Sequence, residues 1–237
     1  MTKHGKNYLT AARKFDIDRL HEPVEALKLV KEMATAKFDE TVEVHMRLNI
    51  DPRQADQLIR GTVNMPAGLG KTVRILVFAE GEAARAAKSA GADIVAGEEE
   101  IAAIQNGGAL DFDIAIAVPE MMSKVGRVAR ILGPRGMMPN PKADTVVQPD
   151  DLGRVIKEAR AGKPEYRNDR TGNLHVPIGK ASFSVEDLTT NFRALLDAVR
   201  RDRPATVKGI FIRKLVVTST MGPGVKIDPN VALNLDY

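Results

Sequence analysis

The chain contains no cysteine, which excludes disulfides and thiolate metal sites and fits a reducing cytoplasm. It has no long apolar run: the longest pieces are ILVFA (75–79) and IAIAV (114–118), far short of the roughly 18 residues of a membrane span. The N-terminal MTKHGKNYLTAARKF is basic but lacks the apolar centre of a secretory signal. Acid is absent from the first fourteen residues, which carry Lys3, Lys6, Arg13 and Lys14. Histidine is scarce, and His4, His21, His45 and His175 show no metal-ligand spacing. No G-x-S-x-G elbow occurs and no serine has a histidine neighbour, so nothing supports nucleophilic catalysis.

What remains is a globular composition over 237 residues, 43% hydrophobic and 28% charged. The net charge of +4 is unevenly spread. Residues 1–67 hold 11 Lys/Arg against 10 Asp/Glu, residues 68–160 hold 12 against 13, and residues 161–237 hold 12 against 8. Positive charge at both ends and not in the middle fits either a nucleic-acid footprint or simple solubility.

The middle alternates strand and helix patterns. Strands are expected at 71–79, 93–96 and 112–118, and helices at 82–91, 98–108, 120–133 and 149–162. Such alternation implies a small, mostly parallel sheet covered by helices. The ends differ. Residues 23–35 form an amphipathic helix pattern, and 40–50 alternate with Val42, Val44, Met46, Leu48 and Ile50 on one face, a half-buried antiparallel strand. Residues 165–179 read as a hairpin turning through Asn168 to Asn173, 184–204 as a helix with a Ser-x-x-Asp start, and 208–220 as a strand. The first 67 residues offer too little for a core of their own. The fold class expected is therefore α/β in two domains. One is a split α+β domain of residues 1–67 plus 161–237; the other is an inserted α/β domain of residues 68–160, with a hinge at the two crossings.

Three stretches carry the functional question. GLGKT (68–72) resembles the end of a phosphate-binding loop, but the motif's first glycine falls on Met65 and a β-rich run follows, so a domain junction is the better reading. ILGPRGMMPNPK (131–142) packs two glycines and three prolines into twelve positions. Its prolines remove the N–H groups a phosphate cradle needs, so a functional or tightly self-packed loop is expected. Lys124, Arg127 and Arg130 share a helix face leading to Arg135. In VVTSTMGPGVKID (216–228) hydroxyls, a methionine and glycines end a strand, a set able to meet phosphates, 2′-hydroxyls and bases. In TAKFDET (35–41) Lys37 and Phe38 sit where helix gives way to strand. Stacking on nucleic acid competes there with Phe38 acting as a core staple.

MTKHGKNY, ATAKFDETVEV, ILGPRGMMPNPKADTV, RNDRTGNLHVPIGKASF and STMGPGVKID occur in this order, and the chain resembles the bacterial large-subunit ribosomal protein L-one family along essentially its whole length. The resemblance implies that the inserted domain is a Rossmann-like three-layer α/β domain. It implies a non-enzymatic structural constituent of the large ribosomal subunit, cytoplasmic, without cofactor, metal or membrane partner, and monomeric off the ribosome. It implies binding to 23S rRNA to form the mobile stalk near the exit site and assistance in releasing deacylated tRNA. It also implies translational repression through the protein's own operon mRNA. Carried over by motif, the RNA contacts fall on Lys37, Phe38 and Thr41, on Arg167, Asp169, Arg170 and Thr171, and on Thr218, Thr220, Met221 and Gly222. The role of residues 131–142 stays open between stiffening the inserted domain and adding RNA contacts. A Rossmann-type enzyme and a structural protein without RNA specificity are the competing readings.

Overall fold

A computed structural model describes residues 5–234; Lys3 and His4 lie outside the described residues. In chain order the elements are α1 (Lys6–Ala12), α2 (Pro23–Met33), β1 (Thr41–Leu48), β2 (Arg60–Thr62), β3 (Ile75–Phe78), α3 (Gly81–Ser89), β4 (Ile94–Ala96), α4 (Glu98–Gln105) and β5 (Ile114–Ala117). There follow α5 (Met122–Val125), α6 (Ala129–Leu132), α7 (Leu152–Gly162), β6 (Glu165–Arg167), β7 (Asn173–Lys180), α8 (Val185–Arg201), β8 (Ile212–Ser219), β9 (Val225–Ile227) and α9 (Pro229–Leu233). The chain divides into two compact units, one running to Gly70 and resuming at Pro164, the other spanning Lys71–Lys163.

The first unit is built on an antiparallel sheet in the order β7-β1-β8-β9. Strict alternation makes β1 its centre: Val42, Val44, Met46 and Leu48 are buried, while Thr41, Glu43, His45 and Arg47 face outward. Each buried side chain of that size contributes about 1.5–3 kcal/mol relative to exposure. Helices α2 and α8 close the apolar face. Pro23 starts α2 at a position where its missing N–H is harmless. In α8 the Ser184 hydroxyl accepts from the Asp187 N–H at 3.0 Å, acids fill the first turn, and Arg200 and Arg201 fill the last. Its stripe of Leu188, Phe192, Leu195, Leu196 and Val199 faces the sheet, with Asn191 inside it.

The expected hairpin at 165–179 does not form as such. Both strands exist, yet β6 pairs with β2 in a separate two-stranded sheet, and β7 pairs with β1. Tertiary packing chooses the partner. Tyr166 of β6 is buried over Gly61 of β2, where a β-carbon would lie 2.6 Å from the tyrosine hydroxyl.

The second unit has a parallel sheet ordered β4-β3-β5. Every residue of β3 is buried, as expected of a central strand covered on both faces. The single helix expected at 120–133 is instead a broken run: 3-10 turns at Pro119–Met121 and Gly126–Val128 alternate with α5 and α6. Gly126 is a poor helix former at the break. Met121, Val125, Val128 and Leu132 are still buried, so the helical spacing in the sequence is satisfied without one continuous helix. The loop after Gly133 is packed on itself and sewn to β5. Thr145 Oγ1 accepts from the Asn140 N–H at 2.7 Å, and Ala117 donates to the Thr145 carbonyl at 2.8 Å while accepting from Val147 at 3.1 Å. Met137, Met138 and Val147 pack on the core. Lys71 of the GLGKT stretch pairs with Asp113 at 2.7 Å, and a strand follows, not a helix.

Candidate nucleic-acid interface

The register of the larger sheet decides which predicted residues meet. Thr41 lies opposite Lys180, and Val42 opposite Ser219. The start of β1 and the ends of β7 and β8 therefore share one end of the sheet. There the 34–40 loop and the turn after Ser219 emerge together, bringing Lys37, Phe38, Thr41, Thr218, Thr220, Met221 and Gly222 into one region. Phe38 is 55% exposed and Met221 64% exposed. Phe38 is thus not a core staple.

Hydrogen bonds fix this end. Glu40, only 1% exposed, accepts from the Ala36 N–H at 2.9 Å and from the Met221 N–H at 3.0 Å. Burial pushes the Glu40 carboxyl up, but those N–H donors outweigh it and hold the group below its ordinary value. Thr220 Oγ1 accepts from the Thr41 N–H at 3.0 Å and faces the Thr41 carbonyl, while Lys180 donates to Thr41 Oγ1 at 2.9 Å. Thr218 Oγ1 lies 3.1 Å from the Gly222 carbonyl and closes the turn. A β-carbon at Gly222 would stand 2.5 Å from Ser219 Oγ, so any larger residue there would have to turn the buried serine hydroxyl aside.

The second predicted group lies at the opposite end of the sheet. β1 has eight residues, and at about 3.3 Å per step its ends are roughly 23 Å apart. Leu48 at the far end donates to the Gly172 carbonyl. Arg167, Arg170 and Thr171 are exposed there, and Arg47 donates to the Thr171 carbonyl. Asp169 turns inward: its carboxylate accepts from the N–H groups of Asn173 (2.7 Å) and Thr171 (2.8 Å) and from both side chains. Burial raises the Asp169 carboxyl, yet these donors overcome it and hold the group far below the usual carboxylate range. A depressed carboxyl stabilises the folded loop above its unfolded pKa of about 3.9, and that contribution is lost as pH falls below it. Protection of the Thr171 and Asn173 amides, relative to their unprotected exchange rate at the same pH, is therefore expected to fall below about pH 4 while that of the β1 strand amides holds. Protection of those two amides that stays flat to pH 2 would contradict this.

Between the two ends, His45 and His175 face each other across β1 and β7 with their Nδ1 atoms 2.7 Å apart, one donating to the other. Burial, the facing His175 and, in the opposite sense, Glu43 act on His45, with a net shift downward. Nothing local in the sequence announces this partner of His45, 130 residues away. Glu40 was also missed, although a signal existed: it shares the even-numbered phase of Val42, Val44 and Met46, which places an acid on the buried face. In the second unit Lys124 is committed to Glu80 at 2.9 Å and Glu98 at 3.7 Å, leaving Arg127, Arg130 and Arg135 exposed. Among the described residues no group of three or more His, Asp or Glu could hold a metal ion, and no helix is long and apolar enough to cross a membrane.

Residues 30–223 match the family model described as the ribosomal protein L1p/L10e family. The chain is 57% identical over 235 residues, 99% of both chains, to "Large ribosomal subunit protein uL1" of Chloroflexus aurantiacus. It is 54% identical to the protein of that name from Salinispora tropica, over 98% of this chain and 97% of that one. It is 52% identical to the one from Mycobacteroides abscessus, over 99% and 98% respectively.

Proposed function

The chain belongs to the ribosomal protein L1p/L10e family, it is a non-enzymatic structural constituent of the large ribosomal subunit, and on that premise we propose that its first unit grips 23S rRNA through the sheet end that carries Phe38 and Met221. In this reading Phe38 and Met221 lie against bases and sugars, Lys37 reaches a phosphate, and Thr41, Thr218, Thr220 and Gly222 present polar atoms to the backbone and 2′-hydroxyls. Arg167, Arg170 and Thr171 form a second contact at the far end, with Asp169 shaping their loop. The protein so bound forms the mobile stalk near the exit site of bacterial, cytoplasmic ribosomes and assists the departure of deacylated tRNA. A similar fold in its own operon mRNA takes the same surface and thereby represses translation.

One observation carries this: two large apolar side chains stand exposed on adjacent loops whose backbone is tied down by internal hydrogen bonds. Stiff loops with protruding apolar groups are made to meet a partner, because mobile ones would lose entropy on binding. Lys37 adjoins Phe38 and Lys180 donates to Thr41, so a modest salt-dependent contribution is expected beside shape and stacking. Titrating the full chain against a 23S stalk fragment and an unrelated folded RNA of equal length, across a salt series, tests the reading. A preference of about 100-fold or more for the stalk with a shallow slope, on the order of −2 to −4 in log K against log salt, is expected. Equal affinity for both RNAs would leave the protein without RNA specificity.

A further inference from the structure

We infer that Glu40 is a positioning residue for this surface, a role that rests on the reading above: its buried carboxylate clamps the loop bearing Phe38 to the turn bearing Met221. Each carboxylate oxygen has its own loop, Oε1 taking the Ala36 N–H at 2.9 Å and Oε2 the Met221 N–H at 3.0 Å. The Glu40 carbonyl accepts from Ala181 at 2.8 Å, which ties the same residue to the end of β7. A carboxylate that is 1% exposed would be costly without such partners. Here the partners are the backbones of the two segments whose spacing matters.

The charge itself works against the proposed ligand. An anion beneath a surface that meets a polyanion lowers affinity by Coulomb repulsion. Glu40 therefore serves geometry at an electrostatic cost, and the two effects predict opposite signs when the charge is removed. Glu40→Gln keeps the shape but offers one acceptor oxygen and one amide group, which cannot accept. One of the two N–H groups is then left facing a donor, and its loop is released. The clamp predicts weaker RNA binding; simple charge removal predicts tighter binding.

The decisive experiment titrates the full-length chain against the 23S stalk fragment as wild type, Glu40→Gln, Phe38→Ala, Met221→Ala, the Phe38→Ala/Met221→Ala pair and that pair with Glu40→Gln added. A loss of about tenfold is expected for Glu40→Gln, with the salt slope unchanged because no phosphate contact is removed. Added to the Phe38→Ala/Met221→Ala pair, Glu40→Gln is expected to cost little more, since Glu40 acts through those two side chains. Wild-type or tighter binding by Glu40→Gln, or strictly additive losses, would overturn the clamp. If neither Phe38→Ala nor Met221→Ala weakens binding, the RNA surface itself is wrong and the clamp falls with it. Should Glu40→Gln fail to fold, amide exchange of the wild type decides. The Met221 N–H is expected to be strongly protected beside an exposed side chain, and exchange at the unprotected rate would end the proposal.

Discussion

Asn191→Leu is expected to destabilise the first unit by about 3 kcal/mol, more than any surface change in the protein. Asn191 has no solvent exposure and uses its whole amide. Nδ2 donates to the Ile178 carbonyl at 2.7 Å and to the Gly68 carbonyl at 2.8 Å, and Oδ1 accepts from the Ala67 N–H at 3.0 Å. These bonds hold α8 to β7 and to the segment through which the chain leaves the unit at Gly70. Leucine has the same number of side-chain heavy atoms, so no cavity opens, but its methyl groups are bulkier than the planar amide and add some overpacking to the lost hydrogen bonds. Each orphaned buried group costs about 1–3 kcal/mol. The estimate stays at the low end of the summed range because Ala67 and Gly68 are only partly buried and water can replace some of their bonds. Denaturant unfolding followed by probes in each unit should show the transition of the first unit moving and that of the second standing still. A shift below about 1 kcal/mol would mean that the network adds little.

The double variant Phe38→Ala/Met221→Ala is expected to lose about 2–4 kcal/mol of affinity for the 23S stalk fragment, roughly 30- to 1,000-fold. Each stacked or desolvated side chain of this kind contributes about 1–3 kcal/mol at the centre of an interface. Both are more than half exposed in the free protein, so the melting temperature should not move. Neither carries charge, so the salt slope should match the wild type. That separates this pair from Arg170, whose removal should flatten the slope by about one unit if it meets a phosphate. A loss below about threefold, under 1 kcal/mol, would mean that the exposed apolar pair does not touch RNA.

Period and capping signals made much of the fold legible. The alternation from Val42 to Leu48, the apolar run Ile75–Phe78 and the Ser184 cap each dictate their element from neighbouring residues alone. The misses needed partners distant in sequence. Glu165–Arg167 was legible as a strand, but its pairing with Arg60–Thr62 depends on Gly61 leaving room for Tyr166. At 120–133 the apolar spacing was right and the continuity wrong, because periodicity reports which side is buried and not how the backbone gets there. The candidate site was less legible. Local pattern left Phe38 undecided between core and surface, and it offered Thr220 and Met221 only as a strand end whose chemistry could meet RNA. Exposure depends on what the rest of the chain covers, and no local pattern encodes that.

The position of β1 has a consequence for how the protein is made. Its two neighbours, β7 and β8, occupy residues 173–180 and 212–219. At about 5–20 residues per second, a ribosome that has just joined Leu48 needs roughly 10–35 s to reach Ser219. Until Lys180 is joined the apolar side of β1 has no partner strand, and until Ser219 it has only one. The second unit draws all its strands from one continuous segment and can close its own sheet while the first waits. A nascent chain interrupted anywhere before Thr220 therefore lacks the turn that completes the Phe38 surface. On the proposed reading, unfinished protein lacks one of its two RNA contacts by the order of synthesis alone.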